Sequence, residues 1–385
     1  MSEPGKFEKL KHNLPWLVRY PLDVARSFLE STAFEKKHLI ITVANHFEPG
    51  WSPNGILDQK TQLKRLREYV EIARVTGDLV RDSDGTKFRH TNFYPAEQYD
   101  RDLLNVLAEM QAEELGEVEV HLHHGVERPD TSENLRRQLI EFRDVLAERH
   151  KCLSRTNIDA TPRYAFVHGN LALANSCGGK FCGVDDEMQI LKETGCYADF
   201  TLPSAPDRSQ VSVINRIYES AGDLSKPRPH EKAKRCVVGG QPPTSPMIIT
   251  GPLRLCLRNG IRPYIEDGAL TNALGADTSR LGHWLNANVT VAGRTDWIFI
   301  KLYAHGFFDH DQSASIGEGA RRLFSEIVAM GEKSGSYSTH FVSAREMFNI
   351  ATAAIDGKDG DPNSFRNYAL LPIMQESAQT VAAKV

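Results

Sequence analysis

Strand-like and helix-like segments alternate along the chain from residue 38 onward. Segments such as HLIITV, EVEVHL and DWIFIKLY are rich in apolar and β-branched residues, which is typical of strands buried in a sheet. The stretches between them repeat apolar residues every three or four positions, as amphipathic helices do. Strands that alternate with such helices form a parallel sheet with the helices packed outside it.

Seven or eight strand–helix units predict an α/β fold that closes into a distorted, TIM-like (β/α) barrel of parallel strands. Single barrel domains with insertions reach the length of this chain, which has 385 residues. Residues 205–246 and 257–296 are rich in Pro, Gly and polar residues, so we interpret them as long loop insertions. The predicted organisation is a helical N-terminal extension at 1–37, a barrel at 38–356 and a C-terminal tail at 357–385.

Composition excludes several classes of function. The formal net charge of −4 provides no basic field for nucleic acid. The apolar stretch near the N-terminus is interrupted by Pro15, Arg19 and Pro21, so we expect neither a signal peptide nor a transmembrane segment. The six cysteines form no CxxC pair, which favours reduced thiols and a cytoplasmic protein. The oligomeric state stays open.

Polar side chains collect where the predicted strands end. His46 and Glu48 follow the first strand, His168 and Asn170 follow the strand RYAFV, and His305 follows the strand WIFIKLYA. In (β/α) barrels the chemistry sits at the carboxyl ends of the strands. We therefore expect these side chains to meet at one shared mouth.

The segment EVEVHLHH at residues 117–124 holds three of the 14 histidines. Alternation along a strand divides its residues between two faces, namely Val118, Val120 and Leu122 against Glu119, His121 and His123. We predict that the apolar face meets the helices and that His121 and His123 point inward as a chelate for a divalent metal. His46 would be the third ligand. Imidazole nitrogens suit Zn, with Fe, Ni or Co as alternatives.

These motifs resemble, in their order along the chain, those of the polysaccharide-deacetylase-like family within the glycoside hydrolase/deacetylase superfamily. The resemblance covers about residues 38–310. VEVHLHH is similar to the family's second motif, with Glu119 and His123 in register, and KLYAHG is similar to its late histidine motif. The string FVHGN…ANS…CGV…GCYADFTLPSAP is typical of a bacterial branch of such proteins. TVANHFEP departs from the family's Thr-Phe-Asp-Asp motif because both aspartates are absent.

The resemblance implies a metal-dependent hydrolase that deacetylates an N- or O-acetylated sugar or polysaccharide. Glu48 would replace the missing aspartate as the general base, and His305 would be the general acid. His168 and Asn170 would orient the carbohydrate substrate. The family's second metal histidine falls near Glu127, so either Glu127 or His124 could replace one of the predicted ligands.

Alternative functions stay open. A glycoside hydrolase of the same superfamily would pair Glu48 with Asp185 or Asp186. An amidohydrolase-like or phosphoesterase site is less favoured, since its HxH motif lies on the first strand. A catalytically degenerate, glycan-binding barrel is favoured by the missing aspartates and opposed by the retained histidines.

Overall fold

The structure is a computed structural model that describes residues 6–30, 36–156, 158–258 and 260–373. Its helices are Lys6–Glu30 (α1), Gln59–Leu79 (α2), Arg101–Ala112 (α3), Ser132–Asp144 (α4), Glu187–Glu193 (α5), Ser279–Ala287 (α6), Gln312–Ser315 (α7), Glu318–Ser334 (α8) and Ala344–Ile355 (α9). Its strands are Lys37–His46 (β1), His90–Pro95 (β2), Gly116–Leu122 (β3), Tyr164–His168 (β4), Cys196–Asp199 (β5), Ile217–Ser220 (β6), Ala233–Arg235 (β7), Met247–Ile249 (β8), Arg254–Arg258 (β9), Arg262–Glu266 (β10), Trp297–Ala304 (β11) and Tyr337–Phe341 (β12). The alternation of strands and helices predicted from residue 38 onward is confirmed.

Most strands belong to one mixed sheet. Its order is β11-β1-β2-β3-β4-β5-β8-β6-β7, and β12 pairs with the first half of β1. The pairs from β11 to β8 are parallel, whereas β6 and β7 at the far edge run antiparallel. The predicted α/β class with a mostly parallel sheet is confirmed.

The sheet is strongly curved. Phe93 on β2 and Phe200 directly after β5 have ring centroids 6.0 Å apart, although β3 and β4 lie between their strands. In a flat sheet this separation would be about 14 Å. Gly251, after β8, approaches β11 so closely that an added Cβ would lie 2.5 Å from the Lys301 carbonyl oxygen. The strand pairing of the described residues nevertheless has two open ends, so a closed barrel is not confirmed.

The two faces of the sheet bury different sets of side chains. Val118, Val120 and Leu122 of β3 pack in the core that includes helix residues such as Leu104 and Leu135. A second core, on the other side of the sheet, collects the inward-facing aromatic and aliphatic residues of the strands, among them Ile40, Phe93, Val167, Phe200 and Phe299. The alternation predicted along β3 is therefore correct.

The two segments interpreted as loop insertions are more ordered than that prediction. Residues 205–246 contain β6 and β7, and residues 257–296 contain β10 and α6. The strands are only three to five residues long. Strands of so few residues show no clear periodicity, and their surroundings are rich in Pro and Gly. The sequence therefore gave no sign of them.

Both ends of the described chain pack against the sheet domain. Trp16 of α1 is fully buried in a small core with Ala205, Ile214 and Leu253. Near the other end, Arg366 donates hydrogen bonds to the Phe341 carbonyl and to acidic side chains. Among the described helices, none combines the length and the apolar character needed to cross a bilayer.

Candidate metal centre

The carboxyl ends of the parallel strands open onto a cavity of about 1110 Å³. Acidic, imidazole and aromatic side chains share its wall, among them His46, Glu48, Trp51, Glu97, His123, Asn170, His305 and Phe308. Strands β1, β2, β3 and β11, which lead into most of these residues, are neighbours in the sheet. The shared mouth expected from the sequence therefore exists for most of the predicted site residues.

Glu48 is the carboxylate on which the inward-facing histidines of the β3 end converge. The Nε2 atoms of His121 and His123 lie 3.2 and 3.1 Å from the same Oε1 of Glu48. Nδ1 of His121 donates to the Val167 carbonyl oxygen at 2.7 Å, which fixes the orientation of the ring. Burial alone would raise the pKa of Glu48, but hydrogen bonding to His121 and His123 holds it well below its usual value.

His46 places a further imidazole beside Glu48 and His121. Its ring centroid lies 5.0 Å from that of His121, and donor atoms of His46, Glu48 and His121 all lie within 4.8 Å of one another. Burial, reinforced by His305 and His121, lowers the pKa of His46 well below its usual value. The ring is therefore neutral, which is the form that ligates metals. These three buried residues could hold a metal ion, with Glu48 as a donor that the sequence had assigned to proton transfer.

His123, predicted as a ligand, bridges two carboxylates. Its Nε2 faces Glu48, and its Nδ1 lies 2.7 Å from Oε1 of Glu97. The backbone N–H of His123 also donates to Glu97, at 3.2 Å. Burial lowers the pKa of His123, but the bonds to Glu48 and Glu97 outweigh it and raise the pKa to about 10. Sequence reasoning missed Glu97, although it follows a strand end two residues after Pro95.

His305 reaches the same site from β11. Its ring centroid is 4.6 Å from that of His46, and its ring also stacks on Phe308, with centroids 4.6 Å apart. Burial lowers the pKa of His305 below its usual value. A predicted proton-transfer residue thus lies beside the donor group and on the cavity wall, more than 250 residues beyond His46 in the chain.

The two predicted substrate-binding residues lie in different environments. Asn170 lines the cavity and has a left-handed backbone with φ of 52°, a conformation that asparagine tolerates. His168 is fully buried and contacts His124 and Glu187 instead. A substrate in the cavity would therefore meet Asn170 and not His168.

His168 belongs to a second buried group that could hold a metal ion. This group consists of His124, His168, Cys182 and Glu187, whose donor atoms lie within 4.8 Å of one another. Glu187 is the first residue of α5, and Cys182 and Glu187 were not predicted as site residues from the sequence.

The carboxylates proposed for a glycosidase pair lie outside the cavity wall. Asp185 accepts a hydrogen bond from Asn175 at 2.6 Å, and Asp186 accepts one from Ser132 at 2.5 Å. Neither aspartate joins Glu48 in lining the cavity.

Comparison of the chain with protein-family models, curated proteins and solved structures gives no match. The class of protein is therefore defined by the fold and by the two possible metal sites alone. The molecule is a mixed α/β protein with a mostly parallel sheet and two buried groups of His, Glu and Cys side chains that could hold metal ions.

Proposed function

We propose that the chain is a metal-dependent hydrolase that removes acetyl groups from an N- or O-acetylated carbohydrate. The observation that carries this proposal is the convergence of His46, Glu48 and His121 beside a large cavity at the strand ends. The proposed fold context is a TIM-like barrel, which the strong curvature of the sheet favours.

The donor set fits a catalytic zinc site. Two imidazoles and one carboxylate are a common set of three protein ligands, and such sites leave a fourth position for water or substrate. His46 and Glu48 both line the cavity, so a substrate could approach from that side. A divalent ion held there would polarise an acyl carbonyl and lower the pKa of a water molecule.

The neighbouring histidines differ in the way that acid–base catalysis requires. The pKa of His123 is raised to about 10, whereas burial lowers that of His305. At neutral pH His123 therefore holds a proton and His305 is ready to accept one. We propose that His123, positioned by Glu97, donates a proton to the leaving group and that His305 accepts a proton. The assignment made from the sequence, with Glu48 as base and His305 as acid, stays a prediction that Glu48→Gln and Glu97→Gln variants test.

The cavity wall suits a sugar better than an apolar ligand. The rings of Trp51 and Phe308 have centroids 4.2 Å apart and offer apolar faces at one side. Polar groups such as Gln98, Asn170 and Arg208 line other parts of the wall, beside apolar side chains such as Ile56 and Leu171. A few placed polar groups beside aromatic surface are what fixes the orientation of a ligand in a concave site.

A glycoside hydrolase has less support. Its general acid is a carboxyl group with a raised pKa, paired across the scissile bond with a second carboxylate. Glu48 has a lowered pKa, and Asp185 and Asp186 do not line the cavity. A glycan-binding protein without catalysis would keep the cavity but would not need His123 and His305 in different protonation states.

Acetate release tests the proposal. Zinc-loaded full-length protein is incubated with N-acetylglucosamine oligomers and with O-acetylated polysaccharide, and acetate and chain length are both measured. We expect acetate without chain cleavage, and loss of acetate release in a His46→Ala/His121→Ala double variant. His310→Ala is the matched control because His310 is largely exposed and does not line the cavity. Shortened chains without acetate, or full activity in the double variant, would contradict the proposal.

A further inference from the structure

We propose that His124, His168, Cys182 and Glu187 form a second metal site, a closed four-ligand zinc site that holds the loops forming one wall of the cavity. The inference does not rest on the proposed hydrolase activity. Two imidazoles, a thiolate and a carboxylate are all zinc ligands, and four protein ligands without an open position define a structural site.

The chain brings the four residues together from separate elements. His124 follows β3, His168 ends β4, Cys182 lies in the loop after β4, and Glu187 begins α5. His124 continues the outward series of Val120 and Leu122, so it points away from the cavity that His123 faces.

The distances between the donor atoms are close to those of tetrahedral coordination, with the His124 contacts a few tenths of an ångström shorter. Nε2 of His124 lies 3.0 Å from Nε2 of His168 and 3.1 Å from Oε1 of Glu187. His168 Nε2 is 3.3 Å from the same oxygen, and Cys182 Sγ is 3.6 Å from Oε2 of Glu187. Four ligands at zinc–ligand bond lengths would be separated by roughly 3.3 to 3.8 Å.

The outer nitrogens of both rings are already engaged. Nδ1 of His124 faces Asp130 Oδ2 at 3.0 Å, and Nδ1 of His168 donates to the Gly169 carbonyl oxygen at 2.5 Å. In a neutral imidazole, Nε2 then carries a lone pair. Two lone pairs and a carboxylate oxygen therefore converge on one point, which a cation would stabilise. A partner at the far nitrogen is the usual support of a zinc-bound histidine.

The other two ligands are also held from behind. The N–H of Ala174 donates to Oε2 of Glu187 at 2.5 Å, and the N–H of Val184 donates to Cys182 Sγ at 3.5 Å. The side chains of His168, Cys182 and Glu187 are fully buried. With no route for substrate, this site would be structural.

The position of the site explains what it would stabilise. The loop after β3 and the loop before α5 are joined by a hydrogen bond from Phe181 N to the Gly125 carbonyl, at 2.9 Å. Asp130 N donates in the same way to the Cys182 carbonyl, at 2.8 Å. These loops supply cavity-lining residues such as Val126, Lys180 and Phe181. A metal bound to His124 and Cys182 would fix both loops and with them that wall.

Cobalt substitution of the full-length protein tests the site, because a thiolate ligand gives Co²⁺ an intense near-ultraviolet charge-transfer band. Only this group of the two contains a sulfur. We expect the band in wild-type protein, with X-ray absorption of the zinc form showing a sulfur contribution of one ligand for every two zinc ions when both sites are loaded. The His46→Ala/His121→Ala variant should keep the band, which separates this site from the proposed active site.

Substitutions identify the sulfur. Cys182→Ser should abolish the band, whereas Cys177→Ser, which removes another thiol from the same loop, should leave it unchanged. Because Cys182→Ser could fail to fold, the wild-type spectra decide the matter alone. Metal-loaded wild-type protein without a sulfur ligand, or loss of the band in the Cys177→Ser variant, would overturn the proposal. Protons on the imidazoles would then be the cations that hold the cluster together.

Discussion

His123 and His124 are adjacent in the sequence, yet their imidazoles belong to two separate clusters of polar side chains. His123 lies 3.1 Å from Glu48 and 2.7 Å from Glu97, on the cavity wall. His124 lies 3.1 Å from Glu187, on the side of the sheet that faces the helices. Since successive side chains of an extended chain point to opposite sides, one strand end serves both clusters.

Glu48→Gln distinguishes a ligand from a base. If Glu48 binds the metal, the variant should lose both the cavity-site metal and turnover. If Glu48 is only the general base, metal content should be unchanged while turnover falls about 10²- to 10⁴-fold. Metal analysis and acetate release on the same preparation measure the two effects. Glu127→Gln is the matched control, since Glu127 is an exposed carboxylate on the same cavity, and loss of metal there would instead identify Glu127 as the ligand.

Glu97→Gln should move the alkaline limb of the pH–rate profile. Glu97 helps to raise the pKa of His123 to about 10, so removing its charge should bring that limb to lower pH. His123 would then lose its proton earlier, and activity would decline sooner as the pH rises. The acidic limb, which we assign to His305, should not move. An alkaline limb that is the same in the variant would exclude His123 as the general acid.

Because His90 is buried in its neutral form, it should make the free energy of unfolding fall in mild acid. Burial lowers the pKa of His90 to about 4, and its ring nitrogens face the Tyr69 hydroxyl and the Ser315 carbonyl oxygen. Below about pH 6.5 the His90 imidazole binds a proton in the unfolded chain, whereas the buried ring of the folded protein stays neutral. This stabilisation is complete above that pH and is lost as the pH falls toward 4.

The measurement is urea unfolding of wild type and His90→Gln between pH 6.5 and 5. The wild type should lose about 2 kcal/mol more of its unfolding free energy over this range than the variant does. His310→Gln should behave as wild type, because His310 is largely exposed. Equal pH dependence in wild type and His90→Gln would refute the assignment.

Helix α1 should contribute to the stability of the sheet domain. Trp16 is fully buried, and its Nε1–H donates to Asn13 at 2.7 Å. Trp16→Ala should therefore lower the unfolding free energy by about 3 to 5 kcal/mol. Val18→Ala on the exposed side of the helix should change it by no more than about 0.5 kcal/mol. Similar unfolding free energies for the two variants would show that α1 is dispensable.

The sequence was sufficient to predict the parts of the fold that depend on clear periodicity. β1, β3 and β11 are long enough to read as strands, and the alternation of Val118 and Val120 with Glu119 and His121 correctly separates the two faces of β3. Curvature and closure of the sheet depend on pairings between distant strands, and no local pattern encodes them.

His168 shows why part of the site could not be predicted. β4 is buried on both faces, so Tyr164, Phe166 and Val167 are all apolar and the direction of His168 cannot be read from hydrophobicity. The contact of His168 with Glu187 joins residues 19 positions apart through an irregular loop. A search for Cys and acidic residues close to the strand-end histidines would have found Cys182 and Glu187 as candidates.

Metal content of the purified protein tests the central claim most directly, namely that the strand-end cavity is a metal centre. Elemental analysis should find two divalent ions per chain in wild type and one in the His46→Ala/His121→Ala variant, with circular dichroism showing that both are folded. Wild type and variant with the same metal content would contradict the claim, because His46 and His121 would then bind no ion beside the cavity.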